Sequence, residues 1–452
     1  MSDNKANRRV LGVILLTVFL DLVGFSIIFP LFPDMLEYYL AKEAQGGSLH
    51  ALISQLESLS GMTGEKARIA ATVLFGGLLG SLYSILQFIS APIWGTLSDQ
   101  RGRRKILVIT IAGTAISYLL WIVADSFWLL VSSRFLGGLM AGNLSVATAA
   151  VADVTDESNR SKGMGMIGAA FGIGFIFGPA MGALLSLWDA PSSLPWIPGI
   201  NPFSGPAIVA FILAAANFVF VVRKFPETLA SAQSSSSGSA GHAKRPINPL
   251  ALLTPSEFPG VNRTNLLYFI FIAAFAGMEF TLTFLAKDRF SYTAAQNGYL
   301  FLFIGLIIAF VQGGVVRRLA PKYGERNLVV VGLIMILPGL VMVGLCQTQA
   351  LLYSGLFLLA AGSSLVTPCL TALVSLYTPT DRQGETLGIF RSLGSLGRAF
   401  APLLAAMIYW RFGSEWPYFG SALVLLIPIA MAVGLPAVTP TKELVDADAT
   451  SV

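Results

Sequence analysis

The sequence predicts an all-α membrane protein, with twelve transmembrane helices arranged as two pseudo-symmetric six-helix bundles. Three observations predict it. The chain is 55% hydrophobic and only 12% charged over 452 residues, with a mean hydropathy of +0.72. A soluble domain carries about twice that charge fraction, so the expected solvent is lipid. Apolar runs of spanning length recur along the chain, near 10–32, 70–93, 106–124, 127–150, 163–187 and 205–222, then near 265–286, 298–316, 327–346, 351–373, 385–409 and 417–436. The basic residues fall almost entirely at alternate ends of those runs.

The last observation sets the topology. With the N-terminus in the cytoplasm, inside segments hold 20 Lys and Arg, outside segments hold 6, and three arginines lie within spans, which accounts for all 29. Cytoplasmic loops of membrane proteins are enriched in this way, so both termini are expected inside; with no organelle signal in the sequence, a plasma (inner) membrane is the expected location. Six tryptophans, Trp94, Trp121, Trp128, Trp188, Trp410 and Trp416, sit at or near span ends, where amphipathic rings prefer to lie. Lys5, Arg8 and Arg9 before an apolar stretch imitate a secretion signal. Asp21 in mid-stretch and the lack of a small-residue cleavage pattern point instead to a retained first span.

Residues 229–246, LASAQ through AKRP, are rich in Ser, Gly and Ala, cannot bury a core, and read as a flexible cytoplasmic connection. The expected organisation is therefore a first bundle over 1–224, a linker over 225–263, a second bundle over 264–438 and a cytoplasmic tail over 439–452. The long first outside loop, about 34–69, contains GSLHALISQLESLSG, which can form a short surface helix. The halves resemble repeats: a shift of 223 lays Gly165 on Gly388, Gly174 on Gly397 and Pro179 on Pro402. Parallel six-helix repeats with a ligand site between them are a transporter architecture.

Other classes are poorly supported. The net charge of +5 is scattered between apolar runs, which disfavours nucleic acid. Cys346 and Cys369 lie in apolar segments and His50 and His242 in loops, so neither a disulfide framework nor a metal site is expected. No phosphate-binding loop, catalytic triad or cofactor fingerprint is visible; ATP is not the expected driving force and no cofactor is expected.

The most specific motif is GTLSDQRGRRKIL at 95–107, after the second span. Gly95 allows close helix approach, Gly102 a tight reversal, and Asp99 with Arg103 and Arg104 can form charge-assisted contacts between helix ends. Asp153, at the end of the fourth span, is placed to pair with Arg103 or Arg104. This loop resembles that of the major facilitator superfamily, through Gly95, Leu97, Asp99, Gly102, Arg103 and Arg104. The resemblance implies the major facilitator fold and a latch acting in one conformation of the two halves.

The fifth span, GMGMIGAAFGIGFIFGPAMGALLS, resembles the motif of the drug:proton antiporter family through Gly165, Gly174, Gly178, Pro179 and Gly182, with Ala183 in place of a final glycine. Gly174, Gly178 and Gly182 share one helix face, where small residues admit close packing, and Pro179 allows a bend. The resemblance implies an exporter more than an importer. FLDLVGFSIIFPLFP in the first span is similar to tetracycline-efflux proteins through Asp21, Gly24, Pro30 and Pro33. SRFLGGLMAGN matches the superfamily's Arg-x-x-x-Gly through Arg134 and Gly138, and FPETL at 225–229 matches the usual close of the sixth span. Segments 277–290, 301–306 and 390–410 look like the tetracycline-transporter-like major facilitator proteins of animals, a resemblance that covers nearly the whole chain.

Five charges fall within spans: Asp21, Arg134, Glu279, Arg391 and Arg398. Each costs roughly 2.5–3.5 kcal/mol if central, on the order of 10 kcal/mol together, so each must be paired or face a wet cavity. Asp21 and Glu279 are the expected proton carriers, because a carboxyl group beside a hydrated cavity can gain and lose a proton as its surroundings alternate; a structural ion pair is the rival role. The resemblance places Arg134 near the proton site. Arg391 and Arg398 are seven residues apart, share a helix face and can offer positive charge to an anionic solute. Gln87 and Asn143 are polar at membrane depth and suited either to line the cavity or to bond helices together. The expected function is secondary active transport, by proton-coupled antiport of a small organic solute or drug through alternating access, with the solute, the proton and the bilayer as partners to a monomer. The alternatives are an importer or facilitator of the same fold, or a non-transporting membrane scaffold.

Overall fold

The computed structural model describes residues 2–43, 47–60, 63–155, 157–228, 256–379 and 383–436. The central part of the expected linker and the tail from 437 onward lie outside the described residues. Apolar runs of spanning length leave the backbone no partner in lipid but itself, and helices are the outcome. Among the described residues all regular structure is helical: α1 (Ser2–Ser26), α2 (Phe32–Lys42), α3 (Ser48–Ser60), α4 (Glu65–Arg101), α5 (Arg103–Ile122), α6 (Phe127–Met140), α7 (Asn143–Val154), α8 (Glu157–Leu185), α9 (Ala190–Ser193), α10 (Ser204–Lys224), α11 (Pro259–Phe290), α12 (Ala294–Phe310), α13 (Arg317–Tyr323), α14 (Glu325–Leu345), α15 (Gln349–Leu376), α16 (Gln383–Phe412) and α17 (Trp416–Val433). Among the described residues eleven segments are long and apolar enough to cross a membrane. α8 carries the further apolar stretch Gly172–Leu185, consistent with twelve spans.

Some spans are built from two pieces. The first runs through α1, a 3-10 turn at Phe29–Leu31 and α2, with Pro30 and Pro33 at the joins. The fourth is α6 and α7, broken at Ala141 and Gly142. The eighth is α12 continued by a π-helical stretch, Val311–Val316. The expected surface helix of the first loop is α3, which lies against α4.

The antiporter-like glycines of α8 pack on α1. A methyl group on Gly174 would come within 2.8 Å of the Phe19 carbonyl oxygen, and one on Gly178 within 2.7 Å of that of Val23. Gly182 meets Ile27 in the same way. Gly165 lies on α8, nine residues before Gly174. The second half repeats the crossing: Gly397 of α16 sits against Phe269 and Ile272 of α11, as Gly174 sits against Phe19 and Leu22. The paired glycines 174 and 397 therefore occupy equivalent places, which gives the 223-residue shift a structural counterpart.

The halves meet on the side of the molecule that bears α2 and α3. There Gly77 of α4 receives Ala406 and Pro402 of α16, and Phe280 of α11 packs on Phe32 and Gly80. Ala183, the residue that departs from the antiporter pattern, seats its methyl group on Gly298 of α12. The missing glycine of one helix is supplied by the helix opposite.

Candidate functional site

The site is built around the break in the fourth span. A methyl group at Gly142 would collide with the Trp94 ring, so the chain passes close to α4 here. Breaking the helix frees carbonyl groups, and α4 satisfies them: the Trp94 indole N–H donates to the Leu139 carbonyl at 2.7 Å and the Ser90 hydroxyl to that of Gly138 at 3.1 Å. Such side-chain partners are what lipid-embedded irregular backbone requires. The break puts Asn143 at the start of α7, where its side-chain Nδ2 donates to Asp21 Oδ1 at 2.8 Å. The Thr110 hydroxyl of α5 in turn donates to Asn143 Oδ1. Asn143 is buried and Asp21 half-buried. Three helices thus converge on one carboxylate through an amide and a hydroxyl.

Arg134 lies apart from that chain. It is buried, its guanidinium carbon 4.6 Å from the Trp121 ring centre and 5.7 Å from that of Tyr118, and it donates to the Ser133 hydroxyl at 3.2 Å. Among the described residues no carboxylate lies within ion-pair distance of it. Tyr118 connects the two groups, since its hydroxyl lies against Gly24, one turn along α1 from Asp21. Aromatic faces stabilise a cation most strongly where water is excluded. Gln87 is half-buried on α4, and among the described residues its side chain joins none of these networks.

In the second half, Glu279 of α11 and Arg398 of α16 are half-buried and within electrostatic reach of one another. Arg391 lies two turns from Arg398 on α16, and among the described residues neither of its terminal nitrogens has a hydrogen-bond partner. Glu279 and Asp21 are not equivalent positions: the crossing that pairs Phe19 with Phe269 would place Asp21 opposite Phe271, about two turns from Glu279.

The motif loop forms a second cluster. Gly102, at φ +97°, is the single non-helical residue between α4 and α5. Arg103 is buried and central: it pairs with Asp99, its Nε donates to Asp153 at 2.9 Å and its Nη1 to the Ser98 hydroxyl at 2.7 Å. The Glu227 carboxylate accepts from the backbone N–H groups of Arg103 and Arg104, at 2.8 and 3.2 Å, and caps α5. The Thr228 hydroxyl donates to Asp153 at 3.1 Å, and Arg104 reaches the Val222 carbonyl at 2.5 Å. Gly95 packs on Ser145 of α7. Among the described residues the Arg103 side chain bonds to Asp99, Asp153 and Ser98, all of the first half. Of the two arginines open to Asp153 on the sequence, Arg103 is the one it pairs with. Sequence reasoning missed Ser98, Glu227 and Thr228; the Pro-Glu-Thr of the FPETL segment was the available signal.

At the far end, where the halves meet, Lys287 of α11 pairs with Asp34 and with Glu37 of α2, the latter at 2.7 Å. Asp34 also accepts from the backbone N–H of Ala294 at 2.9 Å, so it caps α12 of the other half. The Trp410 indole donates to the Leu56 carbonyl of α3 at 3.0 Å. His50, expected as a plain loop residue, has its Nδ1 3.3 Å from Glu43, whose carboxylate also accepts from the first N–H groups of α3.

Comparison with known proteins decides what this arrangement belongs to. The model of the Major Facilitator Superfamily matches residues 14–402, with a second match over 313–451. The chain is 36% identical to mouse major facilitator superfamily domain-containing protein 10, over 97% of this chain and 96% of that one. This chain belongs to the major facilitator superfamily. It is an integral, multi-pass membrane protein and a transporter of that fold. It is also 28% identical to the class D tetracycline resistance protein of Salmonella ordonez, over 94% of this chain and 97% of the relative. The crystal structure of the human organic anion transporter MFSD10 superposes with a TM-score of 0.73 at 33% identity, covering 94% of this chain and 99% of the human one. An inward-facing bacterial homologue of the lysosomal transporter Spinster shares the fold, with a TM-score of 0.68, 14% identity and coverage of 94% and 95%.

Proposed function

We propose that the chain is a proton-coupled antiporter that exports a small organic solute by alternating access, with both termini in the cytoplasm and the α2–α3 excursion outside. The observation that carries this reading is the Asp21–Asn143–Thr110 chain at the broken fourth span. A carboxylate in mid-span, held by a neutral amide rather than by a cation, is free to exchange a proton without first breaking an ion pair. Discontinuous helices at a central site are common among secondary transporters. Arg134, set against aromatic rings and, among the described residues, without a carboxylate, is then a fixed positive charge on the far side of Tyr118 from α1.

In this reading the state described is closed outside, by Lys287 with Asp34 and Glu37 and by Trp410 with α3. The resemblance of α8 to the antiporter motif favours export, and the tetracycline resistance and organic anion relatives make drug-like and anionic solutes the first classes to test. The test is reconstitution in proteoliposomes, with a pH gradient imposed and then collapsed over a solute panel. The expected result is gradient-driven flux that Asp21→Asn abolishes while solute exchange without a gradient survives. Gradient-driven flux unchanged in Asp21→Asn would refute the assignment.

A further inference from the structure

The second and eighth spans occupy matching places, each leading into a glycine of positive φ, Gly102 or Gly324. Their inner parts are built differently. Ten residues before Gly102 stands Pro92, inside the unbroken helix α4, and around it Ser90, Trp94 and Gly95 are fastened to the fourth span. Ten residues before Gly324 stands Gly314, inside the π-helical stretch Val311–Val316. That stretch leans on α15 of its own half, and none of its residues is buried. A methyl group on Gly313 or Gly314 would meet nothing within 4 Å. Among the described residues, none from Leu306 to Tyr323 is buried.

The neighbour in the other half is α8, where Ala183 touches Gly298 of α12. As the fifth and eighth spans, the two helices run in opposite directions. Eleven residues make three turns, so Gly172 of α8 and Ala309 of α12 lie on the contacting stripes, three turns nearer the Gly102 end. Both are exposed, and a methyl group on Gly172 also meets nothing within 4 Å. The helices thus touch at Gly298 and leave each other uncovered about 16 Å further along. α8 is pinned at this level, since Gly174 and Gly178 press on the backbone of α1. The eighth span is held at its two ends, by Ala183 on Gly298 and by the Gly324 turn into α14, whose Arg326 reaches Val433.

Glycine weakens a helix interior, and a π-helical turn interrupts the regular hydrogen-bond ladder. Packing gives no reason for either here. Low burial and two open glycines at an interrupted ladder are what a helix needs in order to bend. Resting on the alternating-access reading above, we propose that Val311–Val316 is the bending point of the second half. In the other state the eighth span bows there with its ends in place, and Ala309 comes to lie on Gly172. A bend of about 30° between fixed ends moves the middle of a span of this length by about 5 Å. This seam is closed by one helix, not by the halves tilting as rigid bodies.

The experiment uses the full chain in proteoliposomes with Gly172→Cys and Ala309→Cys, and reads the rate at which an oxidant cross-links the pair. The natural Cys346 and Cys369 are buried. No solute and no pH gradient are present, so loss of proton coupling in Asp21→Asn leaves the result intact. Lys287→Ala, which removes the pairing with Asp34 and Glu37 at the opposite end, should speed cross-linking by about 10-fold. Adding Gly313→Ala and Gly314→Ala should cancel that gain and raise the melting temperature by about 1–4 °C, because alanine stiffens the helix and meets open space. Gly420→Ala, at an open glycine of α17, should also raise the melting temperature but leave cross-linking unchanged. Cross-linking as fast with the two alanines as without them would show that the halves tilt as rigid bodies; it would overturn the bending point and leave alternating access standing. A lower melting temperature in the double alanine variant would show that the glycines serve packing, and would overturn it too. So would a cysteine pair that Lys287→Ala does not bring together, since this seam then does not close.

Discussion

The two halves contain the same turn, used differently. In the first, Gly102 at φ +97° is the single non-helical residue between α4 and α5; in the second, Gly324 at φ +78° holds the same place between α13 and α14. Each glycine donates its N–H to the carbonyl four residues back, Ser98 or Ala320, and accepts from the residue four ahead, Ile106 or Leu328. Two residues after each glycine an arginine reaches the end of its half's last helix, Arg104 to Val222 and Arg326 to Val433. There the likeness ends. Three residues before the glycine stands Asp99 in one turn and Pro321 in the other, and directly after it Arg103 or Glu325. The first turn gathers Asp99, Asp153, Ser98 and Glu227 around one buried cation. Among the described residues the second keeps the backbone and the arginine anchor without that core. Geometry alone thus needs only the glycine; among the described residues the ion cluster is found in one half.

The comparison is sharpest where the cluster is cut. Arg103→Ala leaves Asp99 and Asp153 facing each other without a cation and should destabilise the protein by about 3–5 kcal/mol in reversible unfolding from micelles. Glu325→Ala, at the matching position, should cost less than about 1 kcal/mol. Equal losses would show that the two turns are energetically alike. Next, alanine at either glycine meets a backbone conformation that costs about 1–3 kcal/mol. Gly324→Ala should cost only that, because a side chain there meets open space, whereas Gly102→Ala also strikes the Glu227 carboxylate and should cost more. Glu227→Gln, which weakens the cap on α5, should cost about 0.5–2 kcal/mol and speed amide exchange at Arg103 and Arg104. The smallest effect is expected of Arg104→Ala and Arg326→Ala, each within about 1 kcal/mol and each like the other, since these arginines, one exposed and one half-buried, make the same bond in both halves.

Much of this was legible in the sequence because it rests on local regularities. Apolar runs of spanning length, the skewed distribution of Lys and Arg, and the glycines of α8 all declare themselves within short windows. The members of the Gly95–Arg104 motif also lie within one window. What was hidden depends on chain segments brought together from afar. Glu227 caps a helix that begins 124 residues earlier, and Lys287 meets Asp34 across 253 positions. The break at Gly142 carries no proline, and its cause, the Trp94 ring, lies on another helix. Among the charges within spans, residue type alone did not separate Arg398, beside Glu279, from Arg391, or show that Arg134 rests on rings rather than on Asp21.

One short element carries more than its length suggests. α7 is 12 residues long, with Asn143 as its first residue and Asp153 next to its last. An α-helix is stiff over that distance, so these two side chains are the tips of a single rod about 15 Å long. One tip grips the mid-membrane acid and the other the turn at the membrane face. Displacing either tip drags its counterpart, and the opposite surface of the bilayer receives no such lever from this helix.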